Sequence, residues 1–187
     1  MTATEELIAR CRLGDDLAWE ALVRRYQGRV FAVAFHYLRD REEARDTAQD
    51  VFVKLYRNLH TLRDDKPFLP WLLRLSRNAS IDRIRRLKVR TPEVEVPVDA
   101  APQLPAPDPT PEEETLRDAR QRLVYRAIGQ LTETNREMIL LKEIQGLKLE
   151  EIAGLLEIPL GTAKSRSMRA RIQLGKAILA LDPEYGT

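Results

Sequence analysis

One cysteine in 187 residues excludes an internal disulfide, and two histidines, His36 and His60, leave no cluster spaced to hold a metal. No metal and no cofactor are expected. Cys11 sits at helical spacing from Leu7 and Ile8, which marks it as a core thiol. Aromatic residues make up only 6% of the chain, and no apolar run approaches the roughly 20 residues a membrane span needs. The first residues, "MTATEELIARC", are acidic and polar rather than basic then apolar. A signal peptide and membrane insertion are therefore not expected, and the chain is placed in the cytoplasm. No stretch alternates with period two over a useful length, so the fold class expected is all-α. A catalytic set is missing as well. Asp46 and Asp50 are paired carboxylates without a histidine partner or a pocket signature, so the chain is not expected to be an enzyme.

What is present is unevenly distributed. The net charge is +2, yet residues 1–91 carry 19 basic and 13 acidic groups, residues 92–115 none and seven, and residues 116–187 twelve and nine. Two basic blocks around an acidic connector suit contact with a polyanion at both ends. The connector, "TPEVEVPVDAAPQLPAPDPTPEEE", holds seven of the eleven prolines. Repeated proline removes backbone donors and blocks helix, which predicts an extended, semi-rigid, flexible linker. A chain of this length is comfortable for two domains. Those expected are 1–91 and 116–187, two small helical domains joined by the linker 92–115.

Four helices are expected before the linker. The first covers residues 4–13, and Asp15 or Asp16 opens a second with the apolar stripe Ala18, Leu22, Val23, Tyr26, Val30, Ala34, Tyr37 and Leu38. Asp40 followed by Glu43 is a capping-box pattern that starts the third, through Thr47, Val51, Leu55 and Leu59. The fourth begins near Pro67 and runs through "FLPWLLRLSRNASIDRIRRLKVR", with Pro70 expected to bend or delay its start. After the linker, residues 115–130 and 135–144 read as helices that bury Leu123, Ala127, Ile128, Met138, Ile139 and Leu141. A short helix, a tight turn and a longer helix then follow in "LKLEEIAGLLEIPLGTAKSRSMRARIQLGKAI", the order of a helix-turn-helix.

On that last helix, Ala163, Ser167, Ala170, Leu174, Ala177 and Leu181 share one face, where small residues allow close packing. Lys164, Ser165, Met168 and Arg169 then point the other way, where they could reach base edges in a major groove. Arg166, Arg171 and Lys176 suit phosphates, and Gly161 and Thr162 bring free N–H groups at the helix start. A second basic cluster, "RIRRLKVR", includes Arg83, Arg85 and Arg86. Trp71, upstream of it, reads as core. Asn78 carries an amide able to read an unstacked base. Asp46, Gln49 and Asp50 form a polar face on the third helix, suited to solvent or to protein docking.

In order and spacing, "DREEARDTAQDVFVKLY", "FLPWLLRLSRNASIDRIRR" and "GLKLEEIAGLLEIPLGTAKSRSMRAR" resemble a bacterial extracytoplasmic-function sigma factor over nearly the whole chain. The resemblance implies a promoter-specificity factor that directs core RNA polymerase and promotes promoter melting, in a stress or envelope response. Its expected partners are core RNA polymerase (largest and second-largest subunits), promoter DNA and an anti-sigma factor, with a monomer when free. Asp46, Gln49 and Asp50 would dock on the clamp coiled coil of the largest subunit. The loop His60 to Lys66, with Asn78, Arg83, Arg85 and Arg86, would capture the single-stranded minus-10 element. Lys142, Thr162, Lys164, Ser165, Arg166, Met168 and Arg169 would bind the minus-35 element as duplex. The acidic linker would lie near the path of nascent RNA. The chain departs from the family at Asp50, where Glu is usual, at Glu157 for a turn Gly, at Lys148 for a helix-starting Ser, and at Ala163 for Val.

Overall fold

A computed structural model describes residues 2–63, 67–90 and 111–185, with the side chains of 90 and 111–118 outside the description. All regular structure among the described residues is helical, and it forms two compact units that divide near residue 97. Residues 91–110 of the expected linker lie outside the described residues. From Pro111 the chain is already helical, four residues earlier than its apolar pattern indicates, with proline in the first-turn position its fixed φ suits.

The first unit packs four helices, each of the first three started by a side chain. On α1 (Ala3–Arg12), the Thr2 hydroxyl accepts from the Glu5 N–H while the Glu5 carboxylate accepts from the Thr2 N–H at 2.7 Å. Asp15 accepts from the Ala18 N–H at 3.1 Å to open α2 (Asp16–Leu38), and Asp40 accepts from the Glu43 N–H at 2.8 Å to open α3 (Arg41–Asn58). The capping box expected at Asp40 is half formed, because the Glu43 carboxylate reaches across to the fourth helix instead. One 3-10 turn, Leu59–Thr61, ends α3. The fourth helix, α4 (Phe68–Arg90), begins after Pro67. Pro70 falls in its first turn, where a missing N–H costs no intrahelical bond, so it does not delay the start.

Leu22, Val30, Val51, Leu55 and Leu72 are fully buried between these helices, and Tyr26 meets Phe68 edge-on at 5.1 Å. Trp71 packs against this core as expected. Cys11 is buried too, and desolvation pushes its thiol up to about 11, so it stays protonated. Ser76 and Ser80 face inward on α4 and donate to the carbonyls of Leu72 and Ser76, both at 2.8 Å. Their small, internally satisfied side chains let α4 lie close to its neighbours.

His36, near the end of α2, is 7% exposed, and its Nε2 has no hydrogen-bond partner among the described residues. Burial, helped by the charge of Arg39, lowers its pKa to about 4. The folded imidazole refuses a proton that the unfolded one accepts near 6.5, so this contribution to stability is lost as pH falls from 6.5 through 4. His36→Leu should flatten that part of the acid sensitivity and change stability at pH 7 by less than about 1 kcal/mol. Urea unfolding at pH 7 and pH 4.5 measures both.

The second unit contains α5 (Pro111–Gly129), α6 (Glu133–Ile139), a π-turn Leu140–Ile144, α7 (Leu149–Leu156) and α8 (Leu160–Leu181). The guanidinium of Arg136 closes α5 by donating to the carbonyls of Ile128, Gly129 and Leu131 at 3.0, 2.6 and 2.8 Å. The expected helix 135–144 changes character at Leu140. The Gln145 N–H bonds the Leu140 carbonyl and the Leu147 N–H bonds the Leu141 carbonyl. These wide loops let the consecutive Leu140 and Leu141 both turn inward.

In α7 the Lys148 side chain has no acceptor to offer as a cap, but the Glu151 carboxylate still accepts from the Lys148 N–H at 2.7 Å. Glu157 then reverses the chain at φ 57°, ψ 44°, the left-handed region, and α8 follows Pro159. Ala163, Ser167, Ala170 and Ala177 are buried on the face the spacing predicts, while Leu174 and Leu181, on the same face, are half-buried.

Candidate nucleic-acid interface

Small residues on the inner face of α8 force its cations outward, but not all in one direction. Lys164, Ser165, Met168 and Arg169 are exposed, Met168 at 66%. The Ser165 hydroxyl donates to the Thr162 carbonyl at 3.0 Å, and Arg169 Nε donates to the Ser165 carbonyl at 3.3 Å. These bonds hold two side chains along the helix before any partner arrives. Thr162, in the first turn, is half-buried.

Arg166 is different. It is half-buried on the flank nearest Glu137 of α6. Burial raises the Glu137 carboxyl to about 7, and the Arg166 charge draws it partly back. Arg171 Nε likewise donates to Glu143 in the π-turn at 2.8 Å. Lys142, in the same turn, is half-buried. Sequence spacing groups these cations as one run; the structure divides them into an exposed outer face and a flank bordered by acids.

On α3, Asp46, Gln49 and Asp50 are all exposed, opposite the buried Thr47, Ala48, Val51 and Leu55. Val53, 50% exposed, continues that face by one turn. The sequence reading missed it, although its i+4 spacing from Gln49 was the available signal. On α4, Asn78, Arg85 and Arg86 are exposed.

Arg83 does not join them. At about 100° per residue it lies on the far side of the helix from Arg85 and Asn78, which fall within about 20° of each other, and about 60° from Arg86, from which its partner and its partial burial rather than its angle distinguish it. Arg83 Nε instead donates to the Glu43 carboxylate of α3 at 2.5 Å. In the loop His60 to Lys66, residues 64–66 lie outside the described residues. His60, Thr61 and Arg63 are exposed, and Arg12 donates to the carbonyl of the buried Leu62.

This geometry defines a two-unit, all-helical protein with a helix-turn-helix in its second unit. The family model for Sigma-70 region 2 matches residues 22–90, and that for Sigma-70, region 4 matches residues 121–174. The chain is 33% identical over 182 residues to the RNA polymerase sigma-H factor of Pseudomonas aeruginosa, covering 95% of this chain and 94% of the relative. It is 33% identical over 170 residues to the ECF RNA polymerase sigma-E factor of Escherichia coli K12, covering 88% of each. Among solved structures, it is similar to CnrH in complex with the cytosolic domain of CnrY, with TM-score 0.65, 26% identity and coverage of 97% and 99%. It shares the fold of the sigma factor RpoE from Bartonella quintana, solved with the anti-sigma factor NepR, at TM-score 0.67 and 21% identity over 87% and 97%.

The chain belongs to the extracytoplasmic-function sigma factors of the sigma-70 family. It is a subunit that binds core RNA polymerase and promoter DNA, directs initiation to specific promoters and catalyses no reaction itself. Among the described residues no group of three His, Cys, Asp or Glu side chains is placed to hold a metal. No helix among them is long and apolar enough to cross a membrane.

Proposed function

We propose that this sigma factor divides its work between the two units, with boundaries near 1–91 and 116–187. The first docks on polymerase through Asp46, Gln49 and Asp50 and holds the unpaired minus-10 strand with Asn78, Arg85 and Arg86. The second reads minus-35 duplex with Lys164, Ser165, Met168 and Arg169, while Thr162, Arg166 and Lys142 approach the phosphates. The observation that carries this reading is the exposed face at the start of α8, where four side chains without an acid among them stand clear of the core.

The protein acts in the cytoplasm, as a monomer until it meets polymerase. An anti-sigma factor restrains it, and its regulon is a stress or envelope response, by analogy with relatives solved in such complexes or named for such roles. The acidic segment expected as a linker over 92–115, shortened by the start of α5 at Pro111, brings its charge toward the RNA path.

Run-off transcription with core polymerase at promoters found by start-site mapping tests the minus-35 assignment. Arg169→Ala should lower initiation roughly 5- to 100-fold, the range for losing one bidentate base contact. Lys176→Ala should stay within about two-fold, because a single peripheral phosphate contact is worth little. Equal losses would refute the division between readers and flank.

A further inference from the structure

The basic run of α4 contains one arginine whose surroundings differ from the rest. Arg83 follows the inward stripe of Ser76 and Ser80, both fully buried, rather than the outward stripe of Asn78, Asp82 and Arg85. Its side chain is 28% exposed and that of Glu43 is 26% exposed, so water screens this pair less than it screens an ordinary surface ion pair. Forty residues of chain separate the two, and the bond crosses from α4 to α3. Glu43 is free to reach Arg83 because Asp40 alone caps α3. The guanidinium is also stabilised in its charged form by the Glu43 hydrogen bond first and by the fields of Asp46 and Asp50. One cation therefore faces the acidic row of the docking helix, on the helix that presents Asn78.

We propose that Arg83 is a positioning residue, not a DNA contact: it sets the angle and register of α4 on α3, so that docking on α3 presents Asn78 correctly to the unpaired strand. The inference rests on the reading of α3 as docking helix and α4 as strand-holding helix. A guanidinium suits this role because its planar Nε–H donor fixes direction as well as distance, where an ammonium would fix only distance.

The test uses holoenzyme assembled from the full chain, a forked promoter probe with an unpaired minus-10 strand, and a salt series. Arg86→Ala should lower the slope of log affinity against log salt by about 0.7, the value for one lost contact to single-stranded phosphate. Arg83→Ala and Glu43→Ala should each shorten open-complex lifetime by roughly 10-fold, as for a lost hydrogen bond between charged groups, with the slope unchanged. Arg83→Lys, which keeps a cation facing Glu43, Asp46 and Asp50 but loses the planar donor, should recover only part of the lifetime. Lifetimes are compared well below each variant's melting temperature, where a purely structural loss would leave them unaltered.

If Arg83→Ala lowers the slope as Arg86→Ala does, and Glu43→Ala lengthens the lifetime by releasing the guanidinium, Arg83 touches DNA and the proposal is wrong. Wild-type lifetimes in both single variants also overturn it. Failure of the underlying reading shows separately, as Asn78→Ala leaving probe binding intact.

Discussion

Replacing Gln49 and Asp50 together by alanine should weaken binding to core polymerase by roughly 10- to 100-fold, about 1.4–2.7 kcal/mol, at or below the low end of what truncating a buried charged interface partner costs. Both side chains are exposed on α3, and neither belongs to the core that holds the helix in place. Alanine is the strongest helix former, and the buried Thr47, Ala48, Val51 and Leu55 are untouched, so helix and fold should survive. The loss should come from the surface alone. Gln49→Ala by itself isolates the amide and leaves the acids facing Arg83 in place. The Asp50 part should shrink as salt rises, because an exposed carboxylate attracts its partner over about a Debye length. Competition for core polymerase against a labelled wild-type chain measures the effect. An affinity unchanged within two-fold would remove α3 from the docking surface.

Leu72→Ala should destabilise the first unit by about 3–5 kcal/mol. Leu72 is fully buried on α4 among Leu22, Val51 and Leu55, and α4 packs on both α2 and α3. Removing most of the side chain forfeits transfer free energy and leaves a cavity that three packed helices cannot readily collapse. A domain of this size has about 5–10 kcal/mol in total, so the variant should unfold at far lower urea concentration or fail to accumulate at 37 °C. Leu13→Ala is the control. Leu13 is 87% exposed, and its truncation should stay within about 0.5 kcal/mol. Comparable losses in the two variants would contradict the packing.

Much of the architecture is legible in the chain because it depends on local rules. Asp15 and Asp40 cap helices where they stand, and the buried set of α8 repeats at three and four. Pro159 marks the start of α8 without any tertiary information. What escapes local reading is pairing at a distance. Glu43 with Arg83, Glu137 beside Arg166 and Glu143 with Arg171 join helices that no periodicity connects. Each of these acids changes the meaning of an arginine that composition alone assigns to DNA. The π-turn escapes the apolar periodicity because it buries the adjacent Leu140 and Leu141 together, and Gly146, at φ 73°, closes it.

The left-handed Glu157 bears on how such a protein can change over generations. A side chain there costs about 1 kcal/mol that glycine would recover, and the residue is exposed in the turn, away from Lys164, Ser165, Met168 and Arg169. Promoters would constrain the reading face proposed for α8, since a substitution there must be matched at every site it serves. The turn carries no such obligation. It is a position where the lineage can trade stability against turnover of the factor in the cell while every promoter it serves stays as it is.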